Sequence, residues 1–363
     1  MLIDLIAGAR PNFMKIAPII KAIKDRKPNE PIISFRLVHT GQHFDSNMSD
    51  SFFEELGLPE PDINLGAGGG TQAEQTAKIM IGYEKLLMSS PADLCLVVGD
   101  VTSTMACAIV AKKLKIKVAH VEGGIRSGDL SMPEEINRLV TDSITDYFFT
   151  TSEIANENLR KSGIDDSKIY FVGNTMIDTL LANKSRFVKP EIWDHANLIA
   201  GEYLVMTLHR PANVDQEDNL KCLIDELVAA AKGLKIIFPV HPRTRQVLNR
   251  LTINASHLIL VEPLSYLRFN YLVQHAKAVI TDSGGITEEA TVFGIPCMTL
   301  RANTERPETV SMGTNVLLGI NPKSIAPAME TMLGGHWKKG SIPPLWDGFA
   351  GSRIISVLEN LNI

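Results

Sequence analysis

Short apolar runs alternate with amphipathic segments along almost the whole chain, and that alternation limits the fold more than any other feature. LIDLIAGA at the start is an apolar run closed by Gly8. NFMKIAPIIKAIKD follows, with Phe13, Ile16, Ile19, Ile20 and Ile23 at helical spacing. The strand-like SFRLVHTG, the helical AEQTAKIMIGYEKLLMS, the strand LCLVVGD, the helix TSTMACAIVAKKL and the strand KVAHVEGG continue the series, and YFFTTS, ENLRKSG and IYFVGN extend it. Residues 94–99 and 118–121 are apolar without alternation, as strands covered on both faces are. The pattern predicts an α/β fold built on a parallel sheet.

Around residues 180–200 the periodicity weakens in NKSRFVKPEIWDHANLIAG, and a second α/β series begins at YLVMTLHR. It runs through LKIIFPVHP, LILVEP, AVITDSGG and PCMTLR. Two Rossmann-like domains in tandem are expected, with parallel sheets facing across a cleft. The first covers residues 1–178 and the second residues 179–345. Residues 346–363 form an amphipathic terminal helix; such a helix either stays with the second domain or crosses back to pack on the first, and the sequence leaves both open. A length of 363 residues suits two such cores.

A net charge of -5 with no long run of one sign argues against nucleic acid as a partner. Anion binding must then come from local clusters. The four cysteines, Cys95, Cys107, Cys222 and Cys297, show no C-x-x-C spacing, and three of them read as core residues of a reducing cytosol. Met1 to Ala7 is too short for a signal peptide or membrane span, so a cytoplasmic location and no membrane partner are expected.

Ligands of open α/β sheets bind outside the carboxyl ends of the strands. The polar residues just past each apolar run are Arg10, His43, Asp100, Glu122, His209, His241 and the turn Asp282-Ser283-Gly284-Gly285. Ionisable groups at nearly every strand end of both domains point to a cleft between them. Gly284 and Gly285 let the backbone approach a ligand, and the free N–H groups of the helix start suit a phosphate. Ser283 adds a hydroxyl. The same glycines also serve an ordinary turn. Glu288 and Glu289 complement the helix dipole, or one of them accepts from two ribose hydroxyls. Arg10, with Pro11 in the first helical turn, joins Lys15, His209, Arg210 and Arg306 as cations able to share phosphate charge. Arginines in both domains fit a diphosphate.

The acidic group is Asp100, Glu122 and the pair Glu134-Glu135 in SMPEEINR. Carboxylates crowded at adjacent strand ends raise the pKa of at least one member, which suits general acid–base chemistry. Asp100 and the Glu134-Glu135 pair also stand where helix caps are needed. Glu122 precedes two glycines rather than a helix, and is the least structural of the set. His43 and His120 fit satisfied core histidines; His241 fits either role. Motifs for metal binding and a G-x-G-x-x-G after the first strand are absent. LGAGGGTQAEQ, after the loop-like PEPDIN, reads as a mobile cleft loop.

Taken together, GARPNFMKIAPI, VVGDVTST, HVEGGIRSGDLSMPEEINR, VGNTMID, TLHRP, PVHPRT and ITDSGGITEEATVFGIPC with NTERPE resemble the UDP-N-acetylglucosamine 2-epimerases, in order and spacing, to about residue 320. The resemblance implies a GT-B-like pair of Rossmann domains. It also implies interconversion of UDP-GlcNAc and UDP-ManNAc for surface polysaccharide precursors, by elimination of UDP to 2-acetamidoglucal and re-addition. By resemblance, Asp100, Glu122 and Glu134 take acid–base roles, and His209 is counted with them. His209 and Arg10 take the diphosphate, Ser283, Gly284 and Gly285 cradle phosphate, and Glu289 takes the ribose. Arg306 and Lys15 complete the site, and Phe269 packs near the uracil. No metal and no other cofactor is implied; the partners are a UDP-sugar and, as a homodimer, a second copy. Where bacterial members carry QHREMLDQ and HRREN, which help form a second activating site, this chain has QHFDSNMS and HRPAN. Those stretches are candidates for adaptation to a modified sugar such as a diacetamido-uronic acid. A hydrolysing 2-epimerase, a GT-B glycosyltransferase and a non-catalytic nucleotide-sugar binder stay open as alternatives.

Overall fold

Seven strands build the sheet of the first unit, and its central apolar runs, at residues 2–7, 94–98, 117–121 and 147–150, are almost wholly buried, whereas the edge strands at 63–64 and 169–171 are not. The seven are β1 (Leu2–Ala7), β2 (Ser34–His39), β3 (Ile63–Asn64), β4 (Leu94–Val98), β5 (Lys117–Val121), β6 (Tyr147–Thr150) and β7 (Ile169–Phe171). They make one sheet of order β3-β2-β1-β4-β5-β6-β7, parallel throughout. The computed structural model describes all residues except 27–32, 43–49, 252, 254 and 362–363. The chain divides into two compact units, Met1–Ala182 with Pro344–Ile363, and Asn183–Pro343.

The first sheet is covered on one face by the Gln72–Ser89 and Thr102–Lys113 helices. Ile6, Val38, Cys95 and Val97 pack there with Ile79, Tyr83, Leu87, Ala106, Cys107 and Val110. The Arg10–Lys24 helix buries Phe13, Ile16, Ile19, Ile20 and Ile23, the residues its helical spacing selects. The terminal Ala350–Glu359 helix lies against it so closely that a Cβ on Gly351 would come 2.6 Å from the Pro18 carbonyl oxygen. Trp346 Nε1 donates to the Thr151 carbonyl at 3.2 Å, and Arg353 Nη1 donates to the Val172 carbonyl at 3.0 Å. The final segment therefore belongs to the first unit.

The second unit repeats the plan with β8 (Tyr203–Thr207), β9 (Lys235–Pro239), β10 (Leu258–Val261), β11 (Ala278–Thr281), β12 (Cys297–Thr299) and β13 (Asn315–Leu317). Their order is β10-β9-β8-β11-β12-β13, again parallel. Side chains alternate between two cores, as the pleat requires. Leu204 and Met206 meet Leu220, Ile224 and Met329 on one face. Tyr203 and Val205 meet Leu272, Val273 and Ala290 on the other. This is the α/β class that the alternation predicts.

The glycine-rich stretch after residue 64 follows a short strand rather than a loop. β3 pairs Ile63 with Val38 and Asn64 with His39, and two residues are too few to show a periodic pattern. Thr71 and Glu74 then form a capping box that starts the Gln72–Ser89 helix. Among the described residues, no helix is long and apolar enough to cross a membrane.

Candidate active site

Each sheet reverses its strand order at one place, between β1 and β4 in the first unit and between β8 and β11 in the second. The crevice at the carboxyl ends of such a pair is where open α/β sheets bind ligands. The candidate residues gather at these two places.

In the first unit, Arg10 is exposed at the start of the Arg10–Lys24 helix, just past β1. Lys15, one turn further on, is buried and turned inward. Its Nζ donates to Glu122 Oε2 at 2.8 Å. Glu122 follows β5 and is 3% exposed, with a main-chain φ of 72°, in the left-handed region that costs a residue with a side chain. Its N–H donates to the Phe149 carbonyl at 2.9 Å. Gly99, at the end of β4, has φ of 67°, and a Cβ there would lie 2.9 Å from Lys15 Nζ. Glycine at this position leaves the room that the lysine occupies.

A buried ionic network braces the segment carrying Glu122. Asp142, on the Pro133–Ile144 helix, accepts from His120 Nδ1 at 2.7 Å, from Arg126 Nη1 at 2.6 Å and from the Gly124 N–H at 3.0 Å. Burial pushes the Asp142 carboxyl up, but the bond and charge of His120 and then Arg126 outweigh it and hold the group below the usual carboxylate range. His120 Nε2 lies 2.8 Å from the Gly99 carbonyl oxygen, so one histidine links the ends of β4 and β5.

Asp100 does not cap the following helix, whose N-cap is Val101. Its Oδ2 accepts from Arg138 Nη2 at 2.5 Å, and Arg138 Nη1 donates to Glu135 Oε2 at 2.6 Å. Asn137 Nδ2 donates to the Asp100 carbonyl at 2.9 Å. Glu134 is exposed in the first turn of the same helix, while Glu135 is buried and also accepts from the N–H groups of Ser127 and Gly128. Asp100 and Glu122 thus each have a cationic partner, Arg138 and Lys15.

In the second unit Asp282, at the end of β11, is wholly buried and acts as a hub. It accepts His209 Nδ1 at 2.7 Å, the His209 N–H at 3.0 Å, the Arg210 N–H at 2.9 Å and Asn213 Nδ2 at 3.1 Å. Arg210 Nε also donates to the Asp282 carbonyl at 3.2 Å. Ser283 is the N-cap of the Gly284–Phe293 helix, and no hydroxyl cap bond ties it to that helix. Gly284 and Gly285 open the helix, beside His209 and Arg210 through the Asp282 bonds. His241, past β9, is exposed with its ring 6.2 Å from that of His209.

Further along the same helix, Glu288 Oε1 lies 2.6 Å from Arg306 Nε, an ion pair that ties Arg306 to this helix. Glu289 is buried, and Asn270 Nδ2 donates to its Oε1 at 3.4 Å. Burial raises its carboxyl to about 8, with the Glu288 charge adding and Asn270 and Tyr266 opposing. Phe269 is half-buried on the Tyr266–His275 helix, against the core that holds Leu272 and Val273. His43 lies outside the described residues. Among the described residues, no group of three or more His, Cys, Asp or Glu is arranged to hold a metal ion.

Three residues escaped the sequence reading as functional: Asp282, Arg138 and Asp142. Arg138 had a local signal, since it stands three residues after Glu135 on one helix face. Asp282 was visible at a strand end but was passed over for its neighbours Ser283 and the glycines. Asp142 sits mid-helix, and only its distant partners reveal it.

Comparison with known proteins shows the family and the fold. Residues 26–359 match the family model described as UDP-N-acetylglucosamine 2-epimerase. The chain is 42% identical over 370 residues to the UDP-N-acetylglucosamine 2-epimerase of Methanocaldococcus jannaschii, covering 99% of each chain. A crystal structure of M. jannaschii UDP-GlcNAc 2-epimerase in complex with UDP-GlcNAc and UDP matches with a TM-score of 0.87, over 99% of each chain. A UDP-2,3-diacetamido-2,3-dideoxy-D-glucuronate 2-epimerase of Pseudomonas aeruginosa is 38% identical over 92% of this chain and 93% of its own.

Proposed function

Because the chain belongs to the UDP-N-acetylglucosamine 2-epimerase family, we propose that it is an isomerase interconverting UDP-GlcNAc and UDP-ManNAc. In the first half-reaction a base removes the C2 proton. The C2–H electrons form the C1=C2 bond of 2-acetamidoglucal, and the C1–O electrons leave with UDP. Re-addition restores the C1–O bond and delivers a proton to the opposite face of C2. Each half needs an acid or base at C2 and stabilisation of a diphosphate.

Glu122 carries this reading. It is a buried carboxylate at a strained backbone position, past the end of a parallel strand, braced by the Asp142 network and paired with Lys15. Strain of this kind persists where the surroundings over-determine it, and it clusters at functional sites. Asp100, Glu122 and Glu134 serve as acid–base groups, with Lys15 keeping Glu122 oriented. Arg10 and His209 stabilise the diphosphate, which lies at the helix start formed by Ser283, Gly284 and Gly285. Glu289 accepts the ribose hydroxyls, Arg306 completes the phosphate group, and Phe269 packs near the uracil.

Incubation with UDP-GlcNAc in D2O, followed by NMR at C2, tests the reading. Deuterium at C2 and UDP-ManNAc are expected; a folded protein that yields neither refutes it. Free ManNAc with UDP would mark a hydrolysing enzyme. Glu122→Gln lowers turnover by roughly 100-fold or more while UDP binding persists. The P. aeruginosa relative favours one second reading, a 2-epimerase acting on a diacetamido-uronic acid. Faster turnover of that UDP-sugar than of UDP-GlcNAc would establish it. A cytoplasmic homodimer belongs to the same proposal. Buried free Cys95, Cys107 and Cys297 support a reducing compartment, and light scattering tests the dimer.

A further inference from the structure

Resting on the reading above, we infer that Asp282 is the positioning residue that presents His209 and Arg210 to the diphosphate. It holds the His209 ring in its Nδ1–H form and clamps Arg210 beside the start of the Gly284–Phe293 helix.

The geometry leaves little freedom. Asp282 Oδ1 takes His209 Nδ1 at 2.7 Å, and Oδ2 takes the main-chain N–H groups of His209 and Arg210 at 3.0 and 2.9 Å. Its main-chain carbonyl takes Arg210 Nε at 3.2 Å. Asn213 Nδ2 holds the carboxylate from behind at 3.1 Å and also bonds the Leu300 carbonyl at 2.9 Å. Thr207 and Thr281, one from each strand, meet hydroxyl to hydroxyl at 2.7 Å, and Thr281 Oγ1 accepts the Ser283 N–H at 3.0 Å. The ends of β8 and β11 are therefore held in one register.

Burial pushes the Asp282 carboxyl up, yet the His209 bond and charge, with the Arg210 and Asn213 bonds, hold it below the usual range. An ionised carboxylate only accepts, so Nδ1 carries a proton whether the ring is neutral or charged. Nε2 is then the nitrogen left for the ligand. An N–H at that nitrogen donates to a phosphate oxygen. The charged and titratable neighbours of the ring are Asp282, Arg210, His241 across 6.2 Å, and Glu305, which lies 3.8 Å from Arg210. His209 remains 43% exposed on its side chain, accessible to a ligand.

The test uses 15N-histidine NMR of the intact protein, with the His209 signals identified from the spectrum of His209→Gln. Nδ1–H with a bare Nε2 is expected at alkaline pH, and Nε2–H appears when UDP is added. Finding the Nε2–H form in the free protein at alkaline pH overturns the inference. In Asp282→Asn, turnover should fall roughly 100-fold. UDP affinity in the same variant should fall roughly tenfold. Turnover and UDP affinity both within threefold of the unaltered protein, in a variant with unchanged circular dichroism, overturn the inference as well. If Asp282→Asn does not fold, the tautomer in the unaltered protein decides. If the unaltered protein shows no epimerisation, the tautomer and UDP affinity still decide, so the two readings fail separately.

Discussion

With Glu289 accepting the ribose hydroxyls as proposed, substrate affinity is expected to depend on pH, and the surroundings of this carboxyl set the size of the effect. The side chain is 4% exposed, and burial raises its carboxyl from 4.5 to about 8, with the charge of Glu288 adding to the rise. At neutral pH the free protein holds this group protonated. A protonated carboxyl has lost part of its acceptor capacity, whereas a carboxylate takes both hydroxyls of a ribose. Binding to the ionised form therefore releases a proton. Affinity rises with pH up to about 8 and then levels. If only the ionised form binds, affinity at pH 8 exceeds that at pH 6 by roughly 50-fold, or about 2.3 kcal/mol. UDP-GlcNAc is the ligand to use, because UDP carries a terminal phosphate that itself titrates near neutrality. Glu122→Gln suppresses turnover during titration calorimetry. In that background the slope should be present, and adding Glu289→Gln should remove it. Near pH 7, buffers of different ionisation enthalpy should report about 0.9 proton released. Affinity that is flat between pH 6 and 8, or a slope that survives Glu289→Gln, refutes the reasoning.

Three further outcomes follow from buried contacts. Asp178 accepts the Gly351 N–H at 2.7 Å, and burial raises its carboxyl from 3.8 to about 6. Its favourable contribution is complete below the unfolded value and lost as pH rises through about 6. Asp178→Asn should thus stabilise the protein at pH 8 by on the order of 1–3 kcal/mol and lose that advantage near pH 4, and a lower melting temperature at pH 8 would count against this. Gly99→Ala combines a left-handed φ with a Cβ at 2.9 Å from Lys15 Nζ. It should cost about 1–2 kcal/mol of stability and reduce turnover, read by urea unfolding and the epimerase assay. Arg138→Met leaves the buried Glu135 and the partly buried Asp100 without their guanidinium. A loss of about 3 kcal/mol in urea is expected, and an unchanged midpoint would show that the pair is solvated.

Strands and helices were legible because their signals are local. The apolar run from Leu94 to Val98 and the helical spacing from Phe13 to Ile23 each report burial within a few residues. The rule that ligands lie past strand ends singles out Asp100, Glu122, His209 and Ser283 as candidates without knowledge of sheet order. Partners were a different matter. Lys15 read as one of several phosphate cations, yet it reaches Glu122, far along the chain from it. Asp100 stands where a helix cap is also possible, but Val101 takes that place and the Asp100 carboxylate pairs with Arg138 through a charge-assisted bond. Asp282 was overlooked because its importance lies in gathering donors from the end of β8, which sequence spacing does not reveal.

Hydrophobic periodicity in the chain dictates two parallel α/β layers, and the placement of glycines and ionisable residues after the apolar runs dictates where chemistry can occur. Those properties depend on neighbours a few residues apart, so they survive in a one-dimensional reading. Which carboxylate meets which cation, why Glu122 tolerates a left-handed backbone, and why Glu289 is held protonated were decided only when strands distant in sequence were brought side by side. Buried charge is governed by burial and by whatever stands a few ångströms away, and both are properties of the packed structure.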